Sequence, residues 1–433
     1  MVRSMGPYTD GTREFFIQEL DFVPKTDFDA PAESGARPVG MLEYLISGRE
    51  HYGPSHSPWP SWDGGRELGE LIAGASNLPD DPNDAVGRAE AQDVTLQYLR
   101  GFQAGLSEDH DVWIFPSNQD LDGGRDVFGA NNAGLAEWSG YILDDHLEGL
   151  ARSMQSDYET SSTEYDHLHI SNSLLSEMQG SRGLFVDMGF DEGTDTRPPS
   201  TVYLADQVAR IYEDELEKEF EYGYTNATAD EVDALTGKWG NLSYTFTTAP
   251  GDATSQAAAA FDERNAQIHK LVAEGTDFIP YGKFINNPIV KEIASDIVDY
   301  GVDQASEALF PTDNLDEAEK QRALLEAGGQ SRMEQAYINA LTQMPVENWT
   351  DPRAPFADGA RKLVAPQDHF RITDNNSPWN GSGFDDYETM VQDYTIGRFR
   401  DYFREDVGHS AYAERYDKIG QHYNDLWTDR KQR

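Results

Sequence analysis

The sequence predicts a mainly α fold: an irregular multi-helix bundle with long loops and little or no sheet. Three observations predict it. Apolar residues recur at i, i+3, i+4 and i+7 over several long segments, the spacing of one helical face. Gly- and Pro-rich stretches of uneven length separate those segments. A single short run, LSYTFTT over 242–248, alternates as a strand would.

Taken in chain order, residues 1–37 read as an extended arm, with Phe15, Phe16, Phe22 and Phe28 set among Pro and Gly. A short helix fits 39–47, where Met41, Leu42 and Leu45 share a face. Three prolines and the pair Trp59 and Trp62 make 52–65 too rigid for either periodic structure. Helices follow at 66–75 and 84–104, the second with Val94, Tyr98 and Phe102 at four-residue steps. The longest helical pattern of the first half spans 132–154, and a second spans 201–222 behind Pro198-Pro199-Ser200, a stop followed by a cap. Lys238-Trp239-Gly240 reads as a turn, followed by the 242–248 strand and an Ala-rich helix at 254–273. The most apolar stretch, 278–302, is interrupted by Pro280, Lys283, Asn286, Pro288, Lys291 and Glu292, so it predicts a buried segment rather than a membrane span. Helices at 314–327 and 332–343 are divided by Gly328-Gly329, residues 345–383 are irregular, and helices at 387–405 and 410–430 close the chain. The expected organisation is an arm (1–37), a helical region (38–195), a second helical region with the apolar segment (196–344), and an irregular loop with aromatic helices (345–433).

Composition narrows the class further. Hydrophobic residues are only 38% of the chain, but 8 Trp, 21 Tyr and 20 Phe supply enough large side chains for a core. A net charge of −44, from 34 basic and 78 acidic residues, suits solvent rich in counterions, as in a halophile, or an acidic actinomycete protein. It argues against nucleic acid as a partner, because phosphate binding needs clustered cations. No cysteine is present, which removes disulfides and thiolate chemistry. No basic start followed by an apolar run opens the sequence, so the expectation is a cytoplasmic protein or one exported without a Sec signal.

Three groups of residues are candidates for function, and none completes a catalytic motif. His167 and His169, in an extended DHLHIS segment, could both reach a metal, which with nearby carboxylates would make a metal-dependent hydrolase. Asp145-His146 lies one helix earlier, and the competing reading is polar loop histidines plus a helix-surface histidine. Asn118, Asp120, Asp122 and Asp126 fall at positions 1, 3, 5 and 9 of a calcium loop, with Gly123 at the turn. Position 12 is Gly129 rather than glutamate, and an Asp-Gly turn explains the pattern equally well. No cofactor is called for by the sequence, with calcium the possible exception as a structural ion.

Residues 398–433 carry eight basic and seven acidic residues, unlike the rest of the chain. Tyr412, Tyr416, Tyr423 and Trp427 keep helical spacing there. With Trp59 and Trp62 they are candidate partner-binding residues, for another protein or for self-assembly. The structural alternative, a terminal helix packed on the chain's own core, is the more common use of such a stripe.

Three stretches resemble large helical actinomycete proteins of type VII secretion (WxG-associated) and polymorphic-toxin loci. They are TREFF with MLEYLISGREHYG and DGGRELGELIAGAS; SGYILDDHLEGLA; and FDERNAQIHKLVAEGTDFIPYGKFI through ALFPTDN. The resemblance implies a helical, non-enzymatic body associated with secretion or toxin delivery. The sequence departs from the pattern in showing neither an initial WxG hairpin nor a recognisable toxin module. The remaining alternative is a structural subunit of a halophile virus or other large assembly, whose arms at 1–37 and 345–383 wrap neighbours.

Overall fold

The structure is a computed structural model that describes residues 9–20, 39–47, 65–108, 128–129, 132–155, 167–180, 183–191, 193, 197–220, 226–256, 315–343 and 411–432. These residues are 83% helical and 2% strand, which establishes the mainly α fold. In order they form α1 (Thr9–Ile17), β1 (Glu19–Leu20), β2 (Val39–Gly40), α2 (Met41–Ser47), α3 (Arg66–Ser76) and α4 (Ala85–Glu108). Next come α5 (Ala133–Ala136), α6 (Ser139–Leu143), a 3-10 turn (Asp144–His146), α7 (Leu147–Ser153), α8 (Asn172–Met178) and α9 (Leu184–Met188). The long helices α10 (Ser200–Phe220), α11 (Asn226–Gln256), α12 (Leu315–Gln343) and α13 (Ala411–Gln432) follow.

The chain divides into two compact units, Met1–Gln207 with Asn241–Gly329, and Val208–Gly240 with Gln330–Arg433. In the first, α4 is the central helix, touched by α1, α2, α3, α8 and α9. Val94, Tyr98, Leu99 and Phe102 are fully buried, as expected for a helix with neighbours on most sides. The Asp84 carboxylate caps its start by accepting the Gly87 N–H at 2.9 Å. Gly101 lets α2 approach closely: a β-carbon there would lie 3.0 Å from the Glu43 backbone. In the second unit Tyr212, Leu216, Phe220, Val232, Trp239, Met333, Tyr337, Ile338 and Leu341 form the core with residues of α13. Phe220 meets Tyr337 edge-on at 6.0 Å, and the Tyr337 hydroxyl donates to the Tyr412 carbonyl at 3.1 Å.

Several local expectations are corrected. Residues 9–17 of the supposed arm are a helix with Phe16 buried, and β1 pairs antiparallel with β2, so α2 begins at Met41. Residues 132–154 are not one helix: the path turns at Glu137–Trp138 and tightens into the 3-10 turn. The Trp138 ring, at the Glu137–Trp138 turn, lies over Gly69, where a β-carbon would lie 2.5 Å from Cδ1.

The expected strand at 242–248 and the turn at 238–240 both lie within α11. Leu242, Ser243, Phe246 and Thr248 are fully buried, so the run lacks the polar face that marks a helix in sequence. Its hydroxyls are accommodated by donating to carbonyls one turn back: Thr245 to Asn241, Thr247 to Ser243 and Thr248 to Tyr244, at 2.7–2.9 Å. Gly328-Gly329 likewise fails to break α12, because Gly329 packs against Thr247. The expectations for 278–302, 345–383 and 387–405 lie outside the described residues.

Candidate functional site

Two of the predicted groups fall within the described residues. Tyr412, Tyr416 and Tyr423 are at most 5% exposed and Trp427 is 8% exposed, all on α13. The aromatic stripe is core, and the expectation that it forms a free docking face is corrected: apolar rings at helical spacing are equally the signature of a helix packed on its own protein. The His167–Ile170 stretch is not helical and lies against α7, with Leu168 and Ile170 buried. The Ile170 N–H donates to Ser153 Oγ at 3.1 Å, and a β-carbon on Gly149 would lie 2.3 Å from the Leu168 carbonyl oxygen. His169 is exposed and His167 half-buried. Among the described residues no three His, Asp or Glu side chains are grouped so as to hold a metal. Asn118, Asp120, Asp122, Asp126, Trp59 and Trp62 lie outside the described residues.

The first unit instead brings together groups that the sequence did not link, and His146, expected on a helix surface, is buried among them. The last carbonyls of a helix lack intrahelical donors, and at the end of α3 three successive ones receive side chains from elsewhere in the chain. Arg13 of α1, 6% exposed, donates through Nε to the Ala75 carbonyl at 2.8 Å and through Nη2 to that of Asn77. His146 of the 3-10 turn, 3% exposed, lies between them in sequence register, its Nε2 2.7 Å from the Ser76 carbonyl. A carbonyl only accepts, so Nε2 carries the proton. Asp145 completes the junction by accepting the Leu78 N–H at 2.8 Å. Burial holds the His146 ring below the usual imidazole range; the Ser76 bond and Asp145 oppose that shift, and Arg88 and Arg13 add to it.

A second junction centres on Glu137. Its two oxygens accept from Arg66 at 2.8 and 2.9 Å, and Arg197 donates to Oε2 at 2.6 Å. The Arg197 guanidinium also lies 5.1 Å from the centre of the Trp138 ring. Nearby, the Asp191 carboxylate accepts the N–H groups of Gly193 at 2.9 Å and Ser200 at 2.7 Å, closing the start of α10. Ser200 is thus the residue capped, where the sequence suggested a capping residue. Burial raises Asp191 above the usual carboxylate range against the pull of those bonds and of Arg197. Tyr203 stacks on Tyr141 at 4.8 Å and donates to Asp144 at 2.5 Å.

The second unit uses the same device. Buried Glu334 accepts from the Tyr416 hydroxyl at 2.8 Å and from Gln330 at 2.6 Å. Glu215 accepts the Trp239 indole N–H at 2.7 Å, so it is not the purely outward carboxylate its helix position suggests. Asp233 pairs with Lys418 at 2.5 Å and with Arg415 at 3.0 Å. Chemically these groups close helix ends and join elements. The available signal for them was a few basic residues placed beside aromatic or apolar ones, Arg13 before Phe15-Phe16 above all. No protein-family model, curated protein or solved structure matches this chain.

Proposed function

We propose that this protein is a non-enzymatic helical structural or interaction protein, a scaffold associated with type VII secretion or toxin delivery. The observation that carries the reading is the use made of buried polar groups. Arg13 and His146 close the carbonyls of Ala75, Ser76 and Asn77 at the end of α3, and Glu137 ties two arginines, one of them from far along the chain. Such groups fix the relative placement of helices, which is what a body that presents surfaces to partners requires. The acidic exterior favours partners with exposed cations and disfavours polyanions. The link to secretion rests on the resemblance of the TREFF, SGYILDDHLEGLA and FDERNAQIHK segments.

A tagged chain recovered from its source cells at their own ionic strength, with mass spectrometry of what co-purifies, tests both parts. Stoichiometric WxG-type or toxin proteins are expected. Recovery of capsid or other assembly proteins replaces the secretion reading with that of an assembly subunit. Hydrolytic activity lost in His167→Ala and His169→Ala, with the fold intact, would overturn the non-enzymatic reading.

A further inference from the structure

The end of α3 is also the place where a buried histidine holds several elements together. His146 reaches the Ser76 carbonyl across 70 residues of sequence, and Arg13 reaches the two flanking carbonyls across 62 and 64. Three elements (α1, α3 and the 3-10 turn) therefore meet at one set of hydrogen bonds. We infer that this junction is an acid-sensitive latch, closed while His146 is neutral and loosened when the ring takes up a second proton.

The charges around the ring decide the direction. Arg13 faces it from α1 and Arg88 from α4, both cationic at all accessible pH, while Asp145 on its own turn is the opposing anion. Asp145 is already engaged with the Leu78 N–H. From α3 the ring meets the Ser76 carbonyl, which the neutral ring satisfies through Nε2–H. A proton added at Nδ1 places a second full charge in a site that is 3% exposed and already holds a guanidinium. The opened junction takes up that proton in water at no such cost. By linkage the open form then binds more protons than the closed one, so closure weakens as pH falls below the ordinary imidazole value, and levels off below the lowered one.

Hydrogen exchange on the full chain reads the latch directly. Between about pH 7.5 and about pH 5, amides of residues 13–17 and 75–78 should lose about tenfold in protection after correction for intrinsic exchange. His146→Gln keeps a side-chain N–H for the Ser76 carbonyl and cannot titrate, so its protection should be flat over that range. Equal loss in the variant, or no loss in the unaltered protein, overturns the inference. Should the variant fail to fold, the imidazole titration of His146 in the unaltered protein decides instead. A midpoint below the ordinary value supports the latch, and one at or above it overturns it.

Discussion

Gly329 lies so close to Thr247 that a β-carbon at position 329 would sit 2.5 Å from the threonine hydroxyl oxygen and 2.9 Å from its methyl. Thr247 is only 6% exposed and its hydroxyl is bonded to the Ser243 carbonyl at 2.7 Å, so it has little room to retreat. Alanine in place of glycine gains about 1 kcal/mol of helix propensity in a free helix. Overpacking costs about 1–3 kcal/mol and outweighs it. Gly329→Ala should therefore lower stability in urea unfolding, whereas Gly74→Ala, with open space around it, should raise stability by up to about 1 kcal/mol. Adding Thr247→Ala to Gly329→Ala should recover much of the loss. Strict additivity of the two changes would show that the contact is not what excludes a side chain at 329.

The same pair explains where sequence reading succeeded and where it failed. The face of α10 marked by Leu204, Val208, Tyr212, Leu216 and Phe220 is buried as its spacing requires, and so is the α13 stripe. An amphipathic helix declares itself because water touches one side of it. The 242–248 part of α11 is buried on several faces, and Gly329 fits against it, so neither an alternating run nor a glycine pair had its usual meaning there. The junctions were harder still. Arg13 and Ala75, or Glu137 and Arg197, are about sixty residues apart, and nothing in local periodicity pairs them. In the His167–Ile170 segment the apolar Leu168 and Ile170 are buried and His169 is exposed, as the polarity of each residue in turn suggests.

Glu137 should matter more than either of its partners suggests individually. The Arg66 side chain is 55% exposed, and removing it as Arg66→Ala should cost at most about 1 kcal/mol. Arg197 is only 10% exposed, so Glu137→Ala leaves a nearly buried guanidinium without its carboxylate, at a cost of about 3 kcal/mol. Urea unfolding of both variants, with Glu137→Gln as a shape-preserving control, separates the two. Equal, small losses would mean that solvent reaches Arg197 easily.

A net charge of −44 on 433 residues makes self-repulsion a term in stability. Raising KCl from about 0.1 M to about 1 M shortens the screening length from about 10 Å to about 3 Å. The thermal midpoint should rise over that interval, with most of the gain in its lower part. A potassium salt of a weakly excluded anion is the right choice, because sulfate stabilises by exclusion whatever the charge. A midpoint that stays level or falls would mean that ion pairs such as Asp233 with Lys418 contribute more than repulsion subtracts.

Glu213 supplies a prediction whose sign depends on pH. Partial burial raises its carboxyl above the usual range; Asn339, donating to Oε2 at 2.9 Å, pulls it back, while Glu217 and Asp214 add to the rise. A carboxyl whose folded value is raised is protonated more readily in the folded chain than in the unfolded one. Its contribution to stability is complete below the unfolded value and declines as pH rises through the folded one. Glu213→Gln keeps an amide oxygen to accept from Asn339 and removes the ionisation. The variant should therefore unfold at higher urea than the unaltered protein at pH about 7, and the difference should shrink as pH falls toward the ordinary glutamate value of about 4.3. Unfolding midpoints for the two proteins across that range measure it. A constant difference would assign the effect to packing, and a difference growing toward acid would reverse the sign of the Glu213 shift.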